Sequence, residues 1–247
     1  MVLSAMIGSV SMMIETVKVI QQNPLHPSFQ RYFRTEDLQM VVKIYENLLA
    51  VLGMQDYEHL RLCLRVNKLQ IWYGDGPGQD LCATTGAHAY SWDYDDSGGF
   101  PHHYISYCRP FFAVYQPFDF VPCSQIGPSS DPGDRSTGTI WSASLTTLHE
   151  MTHWAELTIE TAQLEIDDVV IKRPDGILTK AYESFYSMHV KDWEGARKPT
   201  TNADCYVMSV AEIFYSHLCP QLGPWQDPPP TDKIWPPTAN AQIPRRI

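Results

Sequence analysis

Residues 146 to 157, TTLHEMTHWAEL, set His149, Glu150 and His153 in the order H-E-x-x-H. On a helix, positions four apart lie one turn apart on the same face, so both imidazoles can reach one metal ion at about 2.0–2.1 Å. Glu150 projects to the side, close enough to contact a metal-bound water without being a ligand, which is where a general base is needed. Zinc in such a site lowers the pKa of its water to about 7 and polarises a carbonyl, while the glutamate carries the proton to a leaving amine. A catalytic zinc also needs a third protein ligand. The extended pattern H-E-x-x-H-x-x-G-x-x-H is excluded, because Glu156 stands at the glycine position and Ile159 at that of the third histidine. The candidates are Glu165, Asp167, Asp168, Glu183 and Asp204, and spacing alone does not choose among them.

These residues need a scaffold on both sides. Leu145, Leu148, Met151 and Trp154 predict a helix over about 141–160 around the motif. Upstream, residues 2–22 read as a first helix and not as a signal peptide, since a basic n-region is missing. Thr35 is the expected N-cap of a helix reaching about Leu52, with Leu38, Val41, Val42, Tyr45, Leu48 and Leu49 on its core face. LRLCLRV (60–66) alternates like a strand, and QIWYGDGPG runs from strand into turn. Residues 76–100 read as irregular, HHYISYCRPFF (102–112) as another strand, and 125–138 as loop. Downstream, 181–190 and 202–218 read as helices, the second capped by Asn202 and carrying Tyr206, Val207, Val210, Ala211 and Phe214 on one side. The proline-rich stretch from Cys219 reads as an extended strap or a disordered tail. One domain over 1–218 with a Pro-rich extension over 219–247 is the expected organisation.

Composition narrows the partners. In 247 residues the formal net charge is −10, which argues against nucleic acid, whose phosphates require a Lys/Arg-rich face. No stretch reads as bilayer-spanning, so no membrane partner is expected. Six cysteines without a C-x-x-C pair favour three disulfides and an oxidising, extracellular setting over a zinc ribbon, although no N-x-S/T acceptor is present. A monomer acting on a peptide or protein substrate is expected. His102 and His103 read as surface or core residues and not as ligands, and His189 and His217 have no partner spacing.

LHEMTHW, IDDV, AYES and NADCYVMSVAEIFY, with SYCRPFF before them, together resemble the deuterolysin-like (aspzincin) metallopeptidases and their fungal secreted relatives. The resemblance covers about residues 100–218, and HEMTH and NADCY are its most specific parts. It implies an α+β, zincin-like metallopeptidase fold with a small twisted sheet, flanking helices and Zn2+ in a cleft beside the HExxH active-site helix. It also implies His149 and His153 as ligands, Glu150 as base, and an aspartate in a G-T-x-x-D-x-x-Y-G motif as third ligand. That motif is broken here. Asp168 is the expected ligand and Asp167 the next choice; Tyr182 of AYES stands for the motif's tyrosine as a catalytic oxyanion donor, without the glycine that should follow. Asp204 remains an alternative ligand or a substrate-binding group that would favour Lys or Arg beside the scissile bond. The expected activity is that of a zinc metalloendopeptidase. The rivals are a zinc-scavenging protein without peptidase activity and a metal-dependent biosynthetic enzyme on the same fold.

Overall fold

Each element follows from where its apolar residues fall. The computed structural model describes residues 1–51, 69–76, 80–95, 101–115, 121–126, 142–155, 157–158, 165–193, 199–222 and 225. The strand expected at 60–66 and most of the loop expected at 125–138 lie outside these. Three helices open the chain: α1 (Val2–Gln22), α2 (Pro27–Tyr32) and α3 (Leu38–Val51). The expected α3 stripe is buried at Val41, Val42, Tyr45, Leu48 and Leu49. Thr35 does not cap it. A 3-10 turn, Thr35–Asp37, precedes the helix, and the Asp37 carboxylate accepts the Arg34 N–H at 3.1 Å.

A three-stranded sheet follows, made of β1 (Leu69–Tyr73), β2 (Ala89–Asp95) and β3 (Pro101–Tyr107) in the order β1-β3-β2. β1 runs parallel to β3 and β2 antiparallel to it. Two expectations are corrected here. Residues 76–100 are not uniformly irregular: a short helix, α4 (Leu81–Thr85), precedes β2, whose alternation is hidden among turn residues. Tyr90, Trp92 and Tyr104 stack successively, at 5.4 and 5.0 Å between ring centroids, and hold the β2–β3 pair. The strand expected over 102–112 ends at Tyr107, because Arg109-Pro110 starts α5 (Arg109–Val114).

The motif helix, α6 (Ala143–Thr152), is half the expected length and buried along every residue. A hairpin of β4 (Val170–Lys172) and β5 (Leu178–Lys180), α7 (Glu183–Trp193) and α8 (Ala203–Leu218) complete the described chain. α8 is the central helix. It packs against α1, α2, α6 and α7, so its burial extends beyond the one expected stripe to Cys205, Met208, Ile213 and Tyr215. α1 is, by length and composition, long and apolar enough to cross a membrane, contrary to the sequence expectation. In the structure it lies across α6 and α8, with Met6, Met12, Met13 and Ile20 fully buried, and Ser9 donates to the Ser144 carbonyl at 2.6 Å.

The expected three disulfides are corrected to two pairings among the described cysteines, Cys82–Cys108 and Cys123–Cys219. Cys205 is a buried thiol inside α8 that donates to the Ser187 carbonyl, and burial raises its pKa. Cys63 lies outside the described residues. Beyond Leu218 the chain begins as a strap: Cys219 is bridged to Cys123, and the Trp225 indole donates to Glu212 O at 3.0 Å and Ser216 Oγ at 2.8 Å.

Candidate metal centre

Ser142 caps α6 by accepting the Leu145 N–H at 3.3 Å, which starts the helix where the motif falls in its last turn. His149 and Glu150 lie in the last turn of the helix and His153 is its C-cap. Among the described residues that follow, 155, 157 and 158 are again helical.

The two histidines are oriented from behind. His149 Nδ1 lies 2.6 Å from Asp204 Oδ1, and His153 Nδ1 lies 3.0 Å from the Ile166 carbonyl. Both partners are acceptors, so each Nδ1 carries a hydrogen and each Nε2 is the nitrogen left for a metal. The two Nε2 atoms are 3.3 Å apart. Asp168 Oδ1 lies 3.1 Å from the first and 3.6 Å from the second. Three tetrahedral donors at about 2.0–2.1 Å from a zinc ion are separated by about 3.3–3.4 Å. The spacing fits. Asp168 Oδ1 is moreover buried and without a hydrogen bond, a costly state for a carboxylate oxygen unless a cation faces it. Among the described residues His149, His153 and Asp168 form a cluster able to hold a metal ion.

Asp168 is held by its other oxygen. Between it and Tyr182 the chain makes the β4–β5 hairpin, turning at Gly176, whose φ of +87° suits glycine. The return strand brings the Tyr182 hydroxyl onto Asp168 Oδ2, and Lys180 Nζ to 3.2 Å from that oxygen and 2.8 Å from the Tyr182 hydroxyl. The twelve-residue segment VVIKRPDGILTK thus lengthens the connection without separating its ends. Lys180 was not singled out in the sequence; the alternation of VIK and LTK about the PDG turn was its only signal.

The residue after Tyr182 is equally informative. Glu183 has φ +64°, a left-handed conformation that glycine adopts without strain. The expected motif has glycine there. The Glu183 N–H donates to Asp204 Oδ2 at 2.7 Å, so one buried carboxylate orients His149 and fixes this strained turn. Asp204 is fully buried, with one oxygen on His149 Nδ1 and the other on the Glu183 N–H. Asp167 points away: its backbone bridges to Asn202, and its exposed carboxylate accepts the Asp168 N–H. Asn202 is not a side-chain cap. It accepts the Val169 N–H at 3.3 Å and donates to Ala181 O at 3.1 Å, tying both ends of the hairpin to α8.

Of the remaining candidates, Glu165 and Glu183 lie outside the cluster. Tyr206 is a core aromatic whose hydroxyl donates to Thr200 O at 2.9 Å. His102 lies in β3. His189 stacks on Trp193, and His217 pairs with Glu15. His103 is buried against α6.

The charges are coupled. Burial pushes the His149 pKa down, but the Asp204 and Asp168 carboxylates outweigh it and hold the imidazole up at about 10. Burial would raise Asp168, yet His149, His153 and Lys180 keep its carboxyl well below the usual range. Glu150, in the last turn of α6, is buried. His149, His153 and Asp168 together could hold a divalent cation.

Among solved structures the chain is similar to a zinc peptidase from Grifola frondosa, with a TM-score of 0.50 and 13% identity over 85% of this chain and 92% of that one. Its fold is similar to that of a zinc peptidase. No protein-family model matches the sequence, and no curated protein matches it. The likeness to the zinc peptidase bears on the fold, a small sheet with flanking helices; the ligand geometry is read from this chain alone.

Proposed function

We propose that the protein is a zinc-dependent metalloendopeptidase of the aspzincin type, acting on peptide or protein substrates outside the cell. The observation that carries the reading is the convergence of two Nε2 atoms and an orphaned Asp168 oxygen at tetrahedral spacing. The fold of the Grifola frondosa zinc peptidase and the two disulfides support it.

His149, His153 and Asp168 would hold the metal. Zinc bound there supplies Lewis acidity for a scissile carbonyl and lowers the pKa of a water to about 7. Glu150 takes the proton of the attacking water and delivers it to the amine nitrogen as the peptide bond breaks. The Tyr182 hydroxyl, beside Asp168, can turn to donate to the carbonyl oxygen as negative charge develops on it. Asp204 and Ile166 O keep both imidazoles in the liganding tautomer.

The test is mass spectrometry of a denatured protein mixture incubated with the zinc-loaded protein, with Glu150→Gln as control. New peptide termini should appear with the wild type, and Glu150→Gln should bind one zinc yet cleave about 10²–10⁴-fold more slowly. Equal cleavage by both proteins would remove Glu150 from the mechanism. One zinc per chain without cleavage would replace the peptidase reading with metal capture.

A further inference from the structure

We infer that Asp93 and His103 form a positioning pair that locks the C-terminal end of α6, and with it Glu150 and His153, onto the sheet. This rests on the reading of the site as a zinc peptidase centre. The two residues are directly opposed across the antiparallel β2–β3 pair. His103 is fully buried, with its ring parallel to that of Trp154, 5.2 Å between centroids and 9° between planes. Its Nδ1 lies 2.6 Å from Asp93 Oδ1 and its Nε2 3.0 Å from the backbone carbonyl of Glu150. The second Asp93 oxygen accepts the Ala155 N–H at 3.1 Å.

The targets are specific. A helix leaves its last four carbonyls without intrahelical partners, and the chain that leaves it must satisfy its own N–H groups. The pair reaches one group of each kind: the carbonyl of the proposed base, which also accepts the His153 N–H at 3.3 Å and has a second lone pair for His103, and the N–H two residues beyond the second proposed ligand. Both ring nitrogens of His103 face acceptor oxygens, Asp93 Oδ1 and Glu150 O, so a bond on each side calls for a hydrogen on each nitrogen, which the NMR measurement below tests. The helix stops at Thr152, and His153 turns out of it with φ −76° and ψ −4°. Bonds on both sides of His153 and a ring against Trp154 fix that exit. An apolar pair of similar volume would fill the same space without burying polar groups, so filling space does not account for Asp93 and His103. Their bonds to α6 and its exit fall on Glu150 and Ala155, on either side of the proposed second ligand.

The variant His103→Phe keeps a ring against Trp154 and removes both donors. In the zinc-loaded full chain we expect kcat to fall about 10–100-fold with KM within about threefold, and zinc affinity to fall about tenfold or more. His103→Gln, whose amide can still donate to Glu150 O, should recover part of both. A lower melting midpoint with kcat and zinc affinity unchanged would reduce the pair to a structural role and overturn the inference. Nitrogen-15 NMR of the wild type gives a readout independent of catalysis: two ring hydrogens on His103, assigned by their loss in His103→Gln. A single ring hydrogen overturns the inference. If the wild type cleaves nothing, the peptidase reading fails, while zinc affinity and the NMR signature still decide the pair. If His103→Phe does not fold, Asp93→Asn serves in its place, with faster exchange of the Ala155 amide and weaker zinc binding expected; both unchanged would overturn the inference.

Discussion

At the scale of single residues, the site is defined by which oxygen faces which nitrogen. Asp204 and Asp168 both approach His149, but on opposite nitrogens, so one orients the ring and the other converges with it on the candidate metal position. Proton linkage follows. Without metal the His149 pKa stands near 10, above its ordinary 6.5, so zinc must displace a proton at pH 7. Titration calorimetry in buffers of different ionisation enthalpy should give about one proton released per zinc, with affinity rising as pH rises toward 10; no release would mean that the free imidazole is already neutral. The sign for stability is the reverse. A raised folded-state pKa contributes stability that is fully present below about 6.5 and is lost as pH climbs through about 10, so the metal-free protein should weaken over that window. Urea unfolding of the metal-free protein at pH 6 and pH 9 measures it.

At the scale of elements, the β4–β5 hairpin and the turn at Glu183 decide which aspartate meets the histidines. The hairpin closes on itself, so Asp168 and Tyr182 are neighbours despite their distance in sequence. The broken motif is therefore legible only after folding. Its missing glycine reappears as a conformation, the +64° φ of Glu183. Replacing Glu183 with Gly should change stability by less than about 1 kcal/mol: relief of left-handed strain, about 1–2 kcal/mol, is offset by glycine's entropy and the loss of a carboxylate at a helix N-terminus. Glu183→Val puts a β-branched residue at the same φ and should cost about 2 kcal/mol or more. Urea midpoints of the two variants check both, and equal midpoints would mean that the left-handed turn relaxes.

At the scale of the whole molecule, α8 is the axis on which α1, α2, α6 and α7 converge, and Asp204 and Asn202 at its start place the site where these elements meet the hairpin. The two disulfides tie the periphery to this core. Cys123–Cys219 spans 96 positions and Cys82–Cys108 spans 26. Chain entropy assigns about 4.7 and 3.6 kcal/mol to loops of these lengths. Replacing Cys123 and Cys219 by Ser should therefore destabilise more than replacing Cys82 and Cys108, by about 1 kcal/mol in guanidinium unfolding. The opposite order would show that native-state contacts, not loop closure, dominate.

Short-range information was enough for the chemistry at its centre. The spacing of His149, Glu150 and His153 puts two imidazoles on one helix face, and local periodicity marks α1, α3, α7 and α8, because both depend only on turns of a few residues. The third candidate ligand was out of reach of that logic. Asp167 and Asp168 are adjacent and chemically identical; the choice between them comes from a backbone bridge between Asp167 and Asn202, which turns one carboxylate to solvent and the other to the histidines. Asp204, read as a ligand or a substrate contact, is a buried partner of His149, and His103, read as a bland residue, reaches the Glu150 carbonyl across the sheet. Lys180 arrives only through hairpin register. These are long-range hydrogen bonds whose geometry is set by packing, so the sequence by itself determined the helix that carries H-E-x-x-H, and the tertiary structure decided what surrounds it.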